Sequence, residues 1–507
     1  MAEKEEGMRK EKKRRKEKTG EGDVMIETER YKRQVLIWGE EGQAKINNSR
    51  VAIIGLDSQG KYAALACAAL GIGNIVLIDG KDSHKGEMFL DKDLPEGPRA
   101  LSFPEFLIGI NRQISVEGYP SDLESRIDQG LLSGATAIVD ATNSTRSKQF
   151  AINYGIEKGI PVLSTSSKWG YTKLMFYNPK KPDLACLMPM FEGHAQDELM
   201  GLVMCGPVTE EIKKIVLGEH QLLLSEPVRF NLGKGYRFGF PKDGEAPLPD
   251  PRLYENLKAA FFGGGGIGCW AAVLGAKMNF GTLDVFDYDK FEPHNINRQI
   301  LGADGIGKLK AEHVANKIAA MSRGKTRSAG YNVLILPGFK TEKEYDLVFD
   351  FVDNGYTRAI NTVYAIQNQI PMISAAALPE SSRVISQVNG KTQCQNCVSD
   401  IYRAGREEEM IRRASCAANP NPSVVMANAI AGSLAMIETL SFVEPEKFGN
   451  PFNGELVYRS NSPTRFGTSP LNSPCTCYSK PVPDLKISQE DVDNFVKANP
   501  HLLRQQR

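Results

Sequence analysis

The sequence predicts an α/β fold in which two tandem Rossmann-like domains each carry a largely parallel, doubly wound sheet. Apolar runs that end in glycine occur twice, as "RVAIIG" to Gly55 and "KAAFFG" to Gly263. After each run come a helix of small residues and then a strand that ends in an acid, at Asp79 and at Asp287. These landmarks keep one register, since Gly55 to Gly263 and Asp79 to Asp287 are both 208 positions apart.

The same register continues into the later part of each copy. "AIVDATN" with Asp140 precedes "LVFDFVDN" with Asp350 by 210 positions, and Pro161 precedes Pro371 by the same 210. Chance rarely keeps four landmarks in step over such a distance. We therefore interpret the chain as two copies of one βαβ-type domain.

Five segments are expected along the 507 residues. A Lys/Glu/Arg-rich tail with little to bury should be disordered, and a Gly/Pro-rich stretch should connect the copies. The segments are the tail at 1–24, the first copy at 25–228, the connection at 229–256, the second copy at 257–480 and a C-terminal tail with a short helix at 481–507. Ser488 or Asp491 is expected to cap that helix.

Composition narrows the class of protein. Hydrophobic residues at 41% and charged residues at 24% are typical of globular chains. A net charge of +1 gives no overall field toward nucleic acid or membrane, so neither partner is expected. We expect no stretch long and apolar enough to span a bilayer and see no signal peptide, so a soluble cytoplasmic protein is expected. Nine sparse cysteines argue against a disulfide framework.

The second copy carries a glycine loop, "GGGGIG", between a strand and a helix. It places Gly263, Gly265, Gly266 and Gly268 where a backbone approaches a phosphate closely. By itself this loop fits NAD, FAD, ATP or an S-adenosyl donor. Asp287, at the end of the next strand, is placed to accept ribose hydroxyls.

Charged and amide residues after that strand favour a nucleoside triphosphate. "HNINRQ" supplies Asn295, Arg298 and Gln299, a probable helix starts at Lys310, and Asp353 follows a later strand. A dinucleotide's pyrophosphate is bound largely by backbone N–H groups. A triphosphate needs cationic side chains for its β and γ phosphates and a carboxylate for Mg²⁺.

Residues 263–440 resemble the adenylating domain of the ubiquitin-activating-enzyme superfamily, the ThiF/MoeB-like proteins. The motifs are "GGGGIG", "DYDKFEPHNINRQ", "GKLKAE" and "DFVDNGYTR". The family's opening motif is present at residues 29–55, "ERYKRQVLIWGEEGQAKINNSRVAIIG". The resemblance implies two ThiF-type domains that pair as a pseudo-dimer within one chain.

The two copies depart from the family pattern in complementary ways. In the first copy Asp57 and Ser58 replace loop glycines and Asn143 stands where Asp353 stands in the second. We infer that the first copy does not bind MgATP productively, because Asp57 would repel phosphate. The second copy lacks the Arg-Tyr-x-Arg-Gln motif, whose arginine reaches the ATP of the opposite subunit in this family. Arg33 of "RYKRQ" matches it.

The resemblance also implies the reaction, its ligands and its partner. ATP would adenylate the C-terminal glycine carboxylate of a small ubiquitin-like or sulfur-carrier protein, and a separate downstream enzyme would receive the product. The implied roles are ribose binding by Asp287, phosphate binding by Arg33, Arg298 and Lys310, Mg²⁺ binding by Asp353, and orientation of phosphates or metal by Asn295.

Cysteines suggest two further sites. Cys416 lies near Arg412 and Arg413 before a small-residue helix; an equivalent cysteine in some relatives accepts the activated acyl group. Cys394 and Cys397, with Cys475 and Cys477, could form a structural Zn²⁺ site of four thiolates. Relatives carry two Cys-x-x-Cys pairs, whereas the second pair here is Cys-x-Cys.

Three other functions stay open. An NAD(P)-dependent oxidoreductase would use the same loop but leaves Arg298, Lys310, Asp353 and the repeat unexplained. A non-catalytic scaffold for a ubiquitin-like protein would not need an intact second pocket. Adenylation of a peptide C-terminus in natural-product maturation, which some relatives perform, is a variant of the main hypothesis.

Overall fold

The computed structural model describes residues 29–123, 128–179, 192, 196–233, 238, 246–414, 421–471 and 475–498. Two large sheets, of seven and eight strands, organise this part of the chain. The basic N-terminal tail, expected at 1–24, lies outside the described residues.

The first half supplies the seven-stranded sheet. The strands of this half are β1 (Arg50–Ile54), β2 (Asn74–Ile78), β3 (Asp82–Ser83), β4 (Met88–Phe89), β5 (Lys92–Asp93), β6 (Gly97–Pro98), β7 (Ser115–Tyr119), β8 (Ala137–Asp140), β9 (Val162–Lys168), β10 (Tyr171–Tyr177) and β11 (Val228–Asn231). All but β3, β4, β5 and β6 belong to the large sheet. Its helices are α1 (Lys32–Asn48), α2 (Ser58–Leu70), α3 (Arg99–Ile110), α4 (Thr145–Lys158) and α5 (Glu198–Leu217).

The second half supplies the eight-stranded sheet. Its strands are β12 (Lys258–Phe262), β13 (Thr282–Phe286), β14 (Gly330–Tyr331), β15 (Leu347–Asp350), β16 (Met372–Leu378), β17 (Ser381–Gln387), β18 (Gly454–Arg459) and β19 (Phe466–Pro470). Its helices are α6 (Pro251–Glu255), α7 (Gly266–Lys277), α8 (Lys310–Met321), α9 (Gly355–Gln367), α10 (Gln395–Ser399), α11 (Ile401–Ala414), α12 (Val425–Val443), α13 (Pro445–Phe448) and α14 (Gln489–Ala498).

The two sheets have the same strand order over seven strands. The first runs β7-β2-β1-β8-β9-β10-β11, and the second runs β14-β13-β12-β15-β16-β17-β18 with β19 added at its edge. In each, five neighbouring strands are parallel and the rest of the sheet is antiparallel. The predicted fold class, two tandem Rossmann-like domains, is confirmed.

In each sheet the order of the strands reverses beside the first strand, because later strands are added on its other side. This reversal places a crevice there. β12 pairs in parallel with β13 on one side and with β15 on the other. In open α/β sheets, ligands bind outside the carboxyl ends of the strands at such a switch point. The apolar sequence "KAAFF" of β12 leaves every residue but the first buried, so this strand lies at the centre of the sheet.

The two halves pack through helices. α2 contacts α5, α5 contacts α12, and α12 contacts α7 and the strands β16 and β17. A β-carbon added at Gly206 in α5 would lie 2.8 Å from the carbonyl oxygen of Met426 in α12, so these helices need glycine at their closest approach. One continuous cluster of buried apolar side chains includes residues of both halves.

One expectation from the sequence is wrong. α12 is 19 residues long with a mean hydropathy of 1.4 in its most apolar window, so it meets the length and apolarity of a membrane span. Its apolarity has another cause, because 94% of that window is buried inside the protein. α12 is a core helix covered on all sides by the two halves.

The predicted boundaries stay a prediction, although the structure shows what lies at them. β11 extends to Asn231 and α6 begins at Pro251, so both ends of the stretch 229–256 carry regular structure. In the C-terminal segment the Ser488 N–H donates to Asp491 Oδ2 at 2.7 Å, and the Asp491 N–H donates to Ser488 Oγ at 3.1 Å. This reciprocal pair holds the start of α14.

Candidate nucleotide site

A cavity of about 510 Å³ opens at the carboxyl ends of β12, β13 and β15. Its size is in the range of small-molecule sites. Nine of the residues singled out from the sequence line it: Arg33, Gly263, Gly265, Gly266, Asp287, Arg298, Gln299, Lys310 and Asp353. Gly268 and Asn295 are not part of its lining.

The glycine loop turns tightly from β12 into α7. Gly263 has φ +110°, and a β-carbon there would lie 2.8 Å from the carbonyl oxygen of Phe351. At Gly268 a β-carbon would lie 2.3 Å from the carbonyl oxygen of Gly263. Gly268 therefore closes the loop on itself, while Gly265 and Gly266 present the N-terminus of α7 to the cavity.

Asp287 is fixed at the cavity edge by two backbone groups. Its carboxylate accepts the N–H of Gly264 at 2.8 Å and the N–H of Asp289 at 2.9 Å. Burial raises the pKa of Asp287, and the cation of Lys310 opposes that rise. A carboxylate held in this way keeps lone pairs free for hydroxyl donors.

Two cations of the second half reach the cavity. Lys310, the first residue of α8, donates from Nζ to Asp289 Oδ2 at 2.9 Å. Burial works to lower the pKa of Lys310, but Asp287, Asp289 and Asp353 outweigh it and raise the pKa. Burial lowers the pKa of Arg298 to about 10, with the nearby Arg33 adding to the effect, so Arg298 is still charged at neutral pH.

Arg33 is a third cation, and it comes from α1 in the first half. Its guanidinium donates to the carbonyl oxygen of Asn421 at 2.9 Å and approaches His294 Nε2 at 3.4 Å. Burial lowers its pKa, and Asp353 and Glu292 work to raise it. The structure thus brings one residue of the first half into the cavity of the second.

The segment around Arg33 is anchored to the second half by neighbours that the sequence reasoning missed. Arg30 donates to the carbonyl oxygen of Ile296 at 3.1 Å, and Asn297 donates to Gln34 Oε1 at 3.0 Å. The signal was available, because Arg30 and Gln34 belong to the same "RYKRQ" motif as Arg33.

Two buried polar atoms at the cavity have no hydrogen-bond partner among the described residues: Arg33 Nε and Gln299 Oε1. An orphaned buried donor or acceptor costs about 1–3 kcal/mol unless a ligand or water satisfies it. One orphan is a donor and the other an acceptor, in a cavity with three cations. A polar, anionic ligand such as a nucleoside triphosphate fits this lining.

Acidic groups also line the cavity. Asp353 is exposed, and its carboxylate has no hydrogen-bond or ion-pair partner in the part of the chain that the structure describes. Glu408 of α11, which the sequence analysis did not single out, also lines the cavity and accepts the Gly355 N–H at 2.8 Å. Asp353 is the carboxylate with its lone pairs open for a divalent cation.

Asn295 is held in its own turn instead of facing the cavity. Its Oδ1 accepts the N–H of Glu292 at 3.1 Å, and its N–H donates back to the carbonyl oxygen of Glu292 at 2.9 Å. Its side chain therefore shapes the loop that carries Arg298. This geometry gives no support to a direct contact between Asn295 and phosphates or metal.

In the first half the equivalent position is filled by internal ion pairs. Asp57 accepts from Arg99 at 2.8 Å and from Lys81 at 2.6 Å. Burial works to raise the pKa of Asp57, but Lys81 and Arg99 outweigh it and lower the pKa, so the carboxylate stays charged. Arg99 begins α3 as Lys310 begins α8, but Arg99 pairs with the acid of the loop itself, whereas Lys310 pairs with Asp289 after β13.

Two amides complete this arrangement in the first half. Gln196 Oε1 accepts the N–H of Gln59 in the first turn of α2, at 3.0 Å. Asn143, at the position of Asp353, donates to the carbonyl oxygen of Ser167 at 2.6 Å. A neutral amide that donates cannot serve as the carboxylate ligand of Mg²⁺.

The four cysteines predicted to bind a metal lie together. The Sγ atoms of Cys394, Cys397, Cys475 and Cys477 are all within 4.8 Å of one another. Cys397 Sγ lies 3.6 Å from Cys394, 3.6 Å from Cys475 and 3.5 Å from Cys477. Tetrahedral Zn–S bonds of about 2.3 Å separate the sulfurs by about 3.8 Å, so this donor set could hold a metal. Cys416 lies outside the described residues.

Comparisons with known proteins follow the same division of the chain. The model of the ThiF family matches residues 31–219 and 251–477. The chain is 34% identical over 128 residues to "Adenylyltransferase and sulfurtransferase MOCS3" of Caenorhabditis briggsae, covering 24% of this chain and 31% of that protein. It is 28% identical over 208 residues to "Ubiquitin-like modifier-activating enzyme 5" of Caenorhabditis elegans, covering 38% of this chain and 49% of that protein. The alignments thus span 31% and 49% of these relatives, which is less than half of each.

A solved structure of E. coli MccB with AMPCPP and MccA aligns over 43% of this chain and 65% of that chain. The sequences are 20% identical there, and the TM-score is 0.36.

Proposed function

The chain belongs to the ThiF family, and on that premise we propose that it uses MgATP to adenylate the C-terminal carboxylate of a small ubiquitin-like or sulfur-carrier protein. One observation carries the proposal: Arg33, Arg298 and Lys310 converge on the glycine-loop cavity, which the open carboxylate of Asp353 also lines. The relatives named as an adenylyltransferase and as a modifier-activating enzyme support the same reaction class.

The charge of the cavity favours a triphosphate over a dinucleotide. A bound pyrophosphate bridge needs little more than backbone N–H groups, which the loop from Gly263 to Gly268 supplies. Three cationic side chains exceed that need but suit three phosphates. This is the observation against the NAD(P)-dependent oxidoreductase.

The proposed step conserves atoms and charge. A carboxylate oxygen of the carrier attacks the α-phosphorus of ATP, a new O–P bond forms, and the bond from the α-phosphorus to the bridging oxygen breaks. Pyrophosphate leaves with that electron pair, and the product is an acyl adenylate. No strong base is required, since the nucleophile is already an anion.

The protein's part is to position the reactants and neutralise charge. In this proposal Asp287 accepts the ribose hydroxyls, and the N-terminus of α7 with Arg33, Arg298 and Lys310 holds the phosphates. Asp353 would ligate Mg²⁺, which would offset phosphate charge. Gln299 Oε1 is positioned to accept a hydrogen bond from the ligand.

The first half is proposed to be a silent partner in a pseudo-dimer. Its Asp57 already occupies Arg99 and Lys81, and Gln196 covers the first turn of α2. Its contribution to the reaction is then one guanidinium, that of Arg33. One nucleotide per chain is the expected stoichiometry.

We propose a second step on chain connectivity: the Cys416 thiolate attacks the carbonyl carbon of the acyl adenylate, the C–S bond of a thioester forms, and AMP leaves with the electron pair of the broken C–O bond. α11 ends at Ala414 and the chain resumes at Asn421, whose carbonyl oxygen contacts Arg33. Asn421 lies five positions after Cys416, so covalent geometry limits the separation of their Cα atoms to at most about 18 Å. A separate downstream enzyme would receive the acyl group.

The cysteine cluster is proposed to hold a structural Zn²⁺ ion. Four thiolates leave no open coordination position, so this metal would have no catalytic role. It would tie the start of α10 to the chain near Cys477. We also propose a cytoplasmic location, because cysteines that ligate a metal must stay reduced and the cytoplasm keeps thiols reduced.

ATP–pyrophosphate exchange tests the proposal. The full-length protein is incubated with Mg²⁺, ATP and labelled pyrophosphate, with a panel of ubiquitin-like and sulfur-carrier proteins that end in glycine. We expect exchange with at least one carrier and none when its terminal glycine is removed. Exchange with short peptides but with no carrier would instead favour the peptide-maturation variant.

Two variants test whether the exchange depends on residues of the cavity. Asp353→Asn and Arg33→Ala should each lower exchange by about 10²-fold or more, as loss of a charge-stabilising group does. The control for Arg33 is Lys32→Ala, which removes an adjacent exposed cation paired with Glu29. Tight NADH binding in place of MgATP binding would overturn the proposal. Binding of a carrier without exchange would favour the scaffold.

A further inference from the structure

His294 lies in the loop that carries Arg298, where a side chain of the first half reaches it. Its Nε2 faces the guanidinium of Arg33 at 3.4 Å. Its Nδ1 faces Glu292 Oε2 at 3.2 Å. One imidazole ring therefore bridges a carboxylate of its own loop and a cation of the other half.

The two contacts select one tautomer of the ring. A carboxylate only accepts hydrogen bonds, so Nδ1 must carry the proton toward Glu292. A guanidinium only donates, so Nε2 must be the unprotonated acceptor for Arg33. The neutral Nδ1–H tautomer satisfies both contacts, and the doubly protonated ring cannot accept from Arg33.

The charges around the ring agree with a neutral form. Burial lowers the pKa of His294, and Arg33 of α1, Arg298 of its own loop and Lys310 of α8 lower it further, while Glu292 opposes them. The Arg33 guanidinium also donates to the carbonyl oxygen of Asn421. Its Nε has no hydrogen-bond partner among the described residues.

We propose that His294 is a positioning residue: oriented by Glu292, it holds the Arg33 guanidinium at the nucleotide cavity. This inference rests on the proposed function for its kinetic consequence and on geometry alone for the contact itself. His294 touches no reacting atom and acts only through Arg33. The choice of tautomer gives it a signature that a merely structural side chain lacks.

The kinetic test is a double-mutant cycle with two conservative variants. His294→Gln places an amide oxygen near the position of Nε2 and should retain most of the exchange activity. His294→Asn ends near the position of Nδ1, cannot reach Arg33, and should lose about tenfold. The double variant that combines Arg33→Ala with His294→Asn should lose no more exchange activity than Arg33→Ala alone, since both changes remove the same interaction.

A spectroscopic test separates this inference from the proposed function. In full-length protein with ¹⁵N-labelled histidine, the His294 resonances are assigned by comparison with His294→Gln, which is feasible because the chain has six histidines. At pH 7 we expect the neutral Nδ1–H tautomer and a shift of the Nε2 resonance in Arg33→Ala. This result supports the contact even if no carrier promotes exchange.

Two results would overturn the inference. One is an Nε2–H tautomer, or an Nε2 resonance that Arg33→Ala leaves unchanged. The other is full exchange activity in His294→Asn, or losses that add in the double variant. If exchange is absent from the unmodified protein, the proposed function fails and the resonance measurement alone decides the role of His294.

Discussion

Individual residues distinguish the proposed nucleotide site of the second half from the equivalent position in the first. In the second half the glycine loop is uncharged, and the nearby cations Arg298 and Arg33 are held by neutral oxygen or nitrogen acceptors, which leaves their charge available. In the first half Asp57 supplies an anion to Arg99 and Lys81. A single acidic side chain thus takes the place that a phosphate would need.

The contact between His294 and Arg33 predicts a pH dependence. The pKa of His294 is lowered from its ordinary 6.5, first by burial and then by Arg33. The folded protein therefore binds this proton less readily than the unfolded chain. Its contribution to stability is present above the unfolded pKa and is lost as pH falls through 6.5 toward the folded pKa.

The activity should follow the same sign. Exchange should be constant near pH 7 and fall on the acid side of 6.5, because the protonated ring cannot accept from Arg33. In His294→Gln that acid limb should move or vanish, since an amide does not titrate. Identical pH profiles for the two proteins would contradict the assignment.

Site residues at strand ends could be predicted from the sequence, and those set by helix packing could not. Asp287 and Asp353 follow strands that pair in parallel with β12, so their meeting at one edge follows from the repeat. Glu408 reaches the cavity only because α11 packs closely on α9, where a β-carbon on Gly405 would lie 2.5 Å from the Gly355 carbonyl oxygen. The local sequence of α11 carries no sign of that contact.

Asn295 shows a different limit. An asparagine beside a turn can bind backbone N–H groups of its own loop or a ligand, and the residue pattern is the same in both cases. Here the local contact to Glu292 takes the side chain. Arg33 was reached by family resemblance, because its position depends on how the halves pack.

At the scale of elements, the loop between β12 and α7 depends on glycine for its closure. Gly268→Ala should destabilise the protein by about 1–3 kcal/mol, because its β-carbon would meet a backbone carbonyl oxygen at 2.3 Å. The matched control is Gly109→Ala in α3, where nothing lies within 4 Å of the added carbon. That change should be neutral or stabilise by about 0.5–1 kcal/mol. Chemical denaturation measures both, and equal effects would contradict the loop geometry.

The cysteine cluster is the second element with a testable role. We expect one zinc per chain by elemental analysis, lost in Cys475→Ser and retained in Cys67→Ala, which removes a buried thiol outside the cluster. Chelation should lower the Tm by about 5 °C or more, since each kcal/mol shifts the Tm of a domain this size by roughly 2–4 °C. A protein with full stability and no bound metal would exclude a structural site.

At the scale of the whole molecule, buried charges connect the two halves in addition to apolar packing. Glu211 of α5 accepts from Lys214 at 2.9 Å and from Arg465 Nε at 3.0 Å, and Arg465 also donates to the carbonyl oxygen of Leu222 at 2.6 Å. Burial lowers the pKa of Lys214, and Glu211 opposes that effect. Arg465 belongs to the second half and its partners to the first.

Arg465→Leu should therefore destabilise the whole chain. Removing one member of a buried ion pair costs about 3–5 kcal/mol, and we expect the lower end because Lys214 still faces Glu211. Arg252→Leu, which removes an exposed arginine paired with Asp250, should leave the free energy of unfolding nearly unchanged. Calorimetry should show both halves of the Arg465→Leu protein unfolding at a lower temperature. A loss confined to one half would contradict a shared core.

The account as a whole claims that one cavity in the second half binds the triphosphate with a guanidinium lent by the first half. A crystal structure of the full-length protein with Mg²⁺ and a non-hydrolysable ATP analogue tests this most directly. We predict one nucleotide per chain, with phosphates at the start of α7 and the Arg33 guanidinium in contact with them. A nucleotide seated beside Asp57, or Arg33 turned to solvent with the cavity filled, would contradict it.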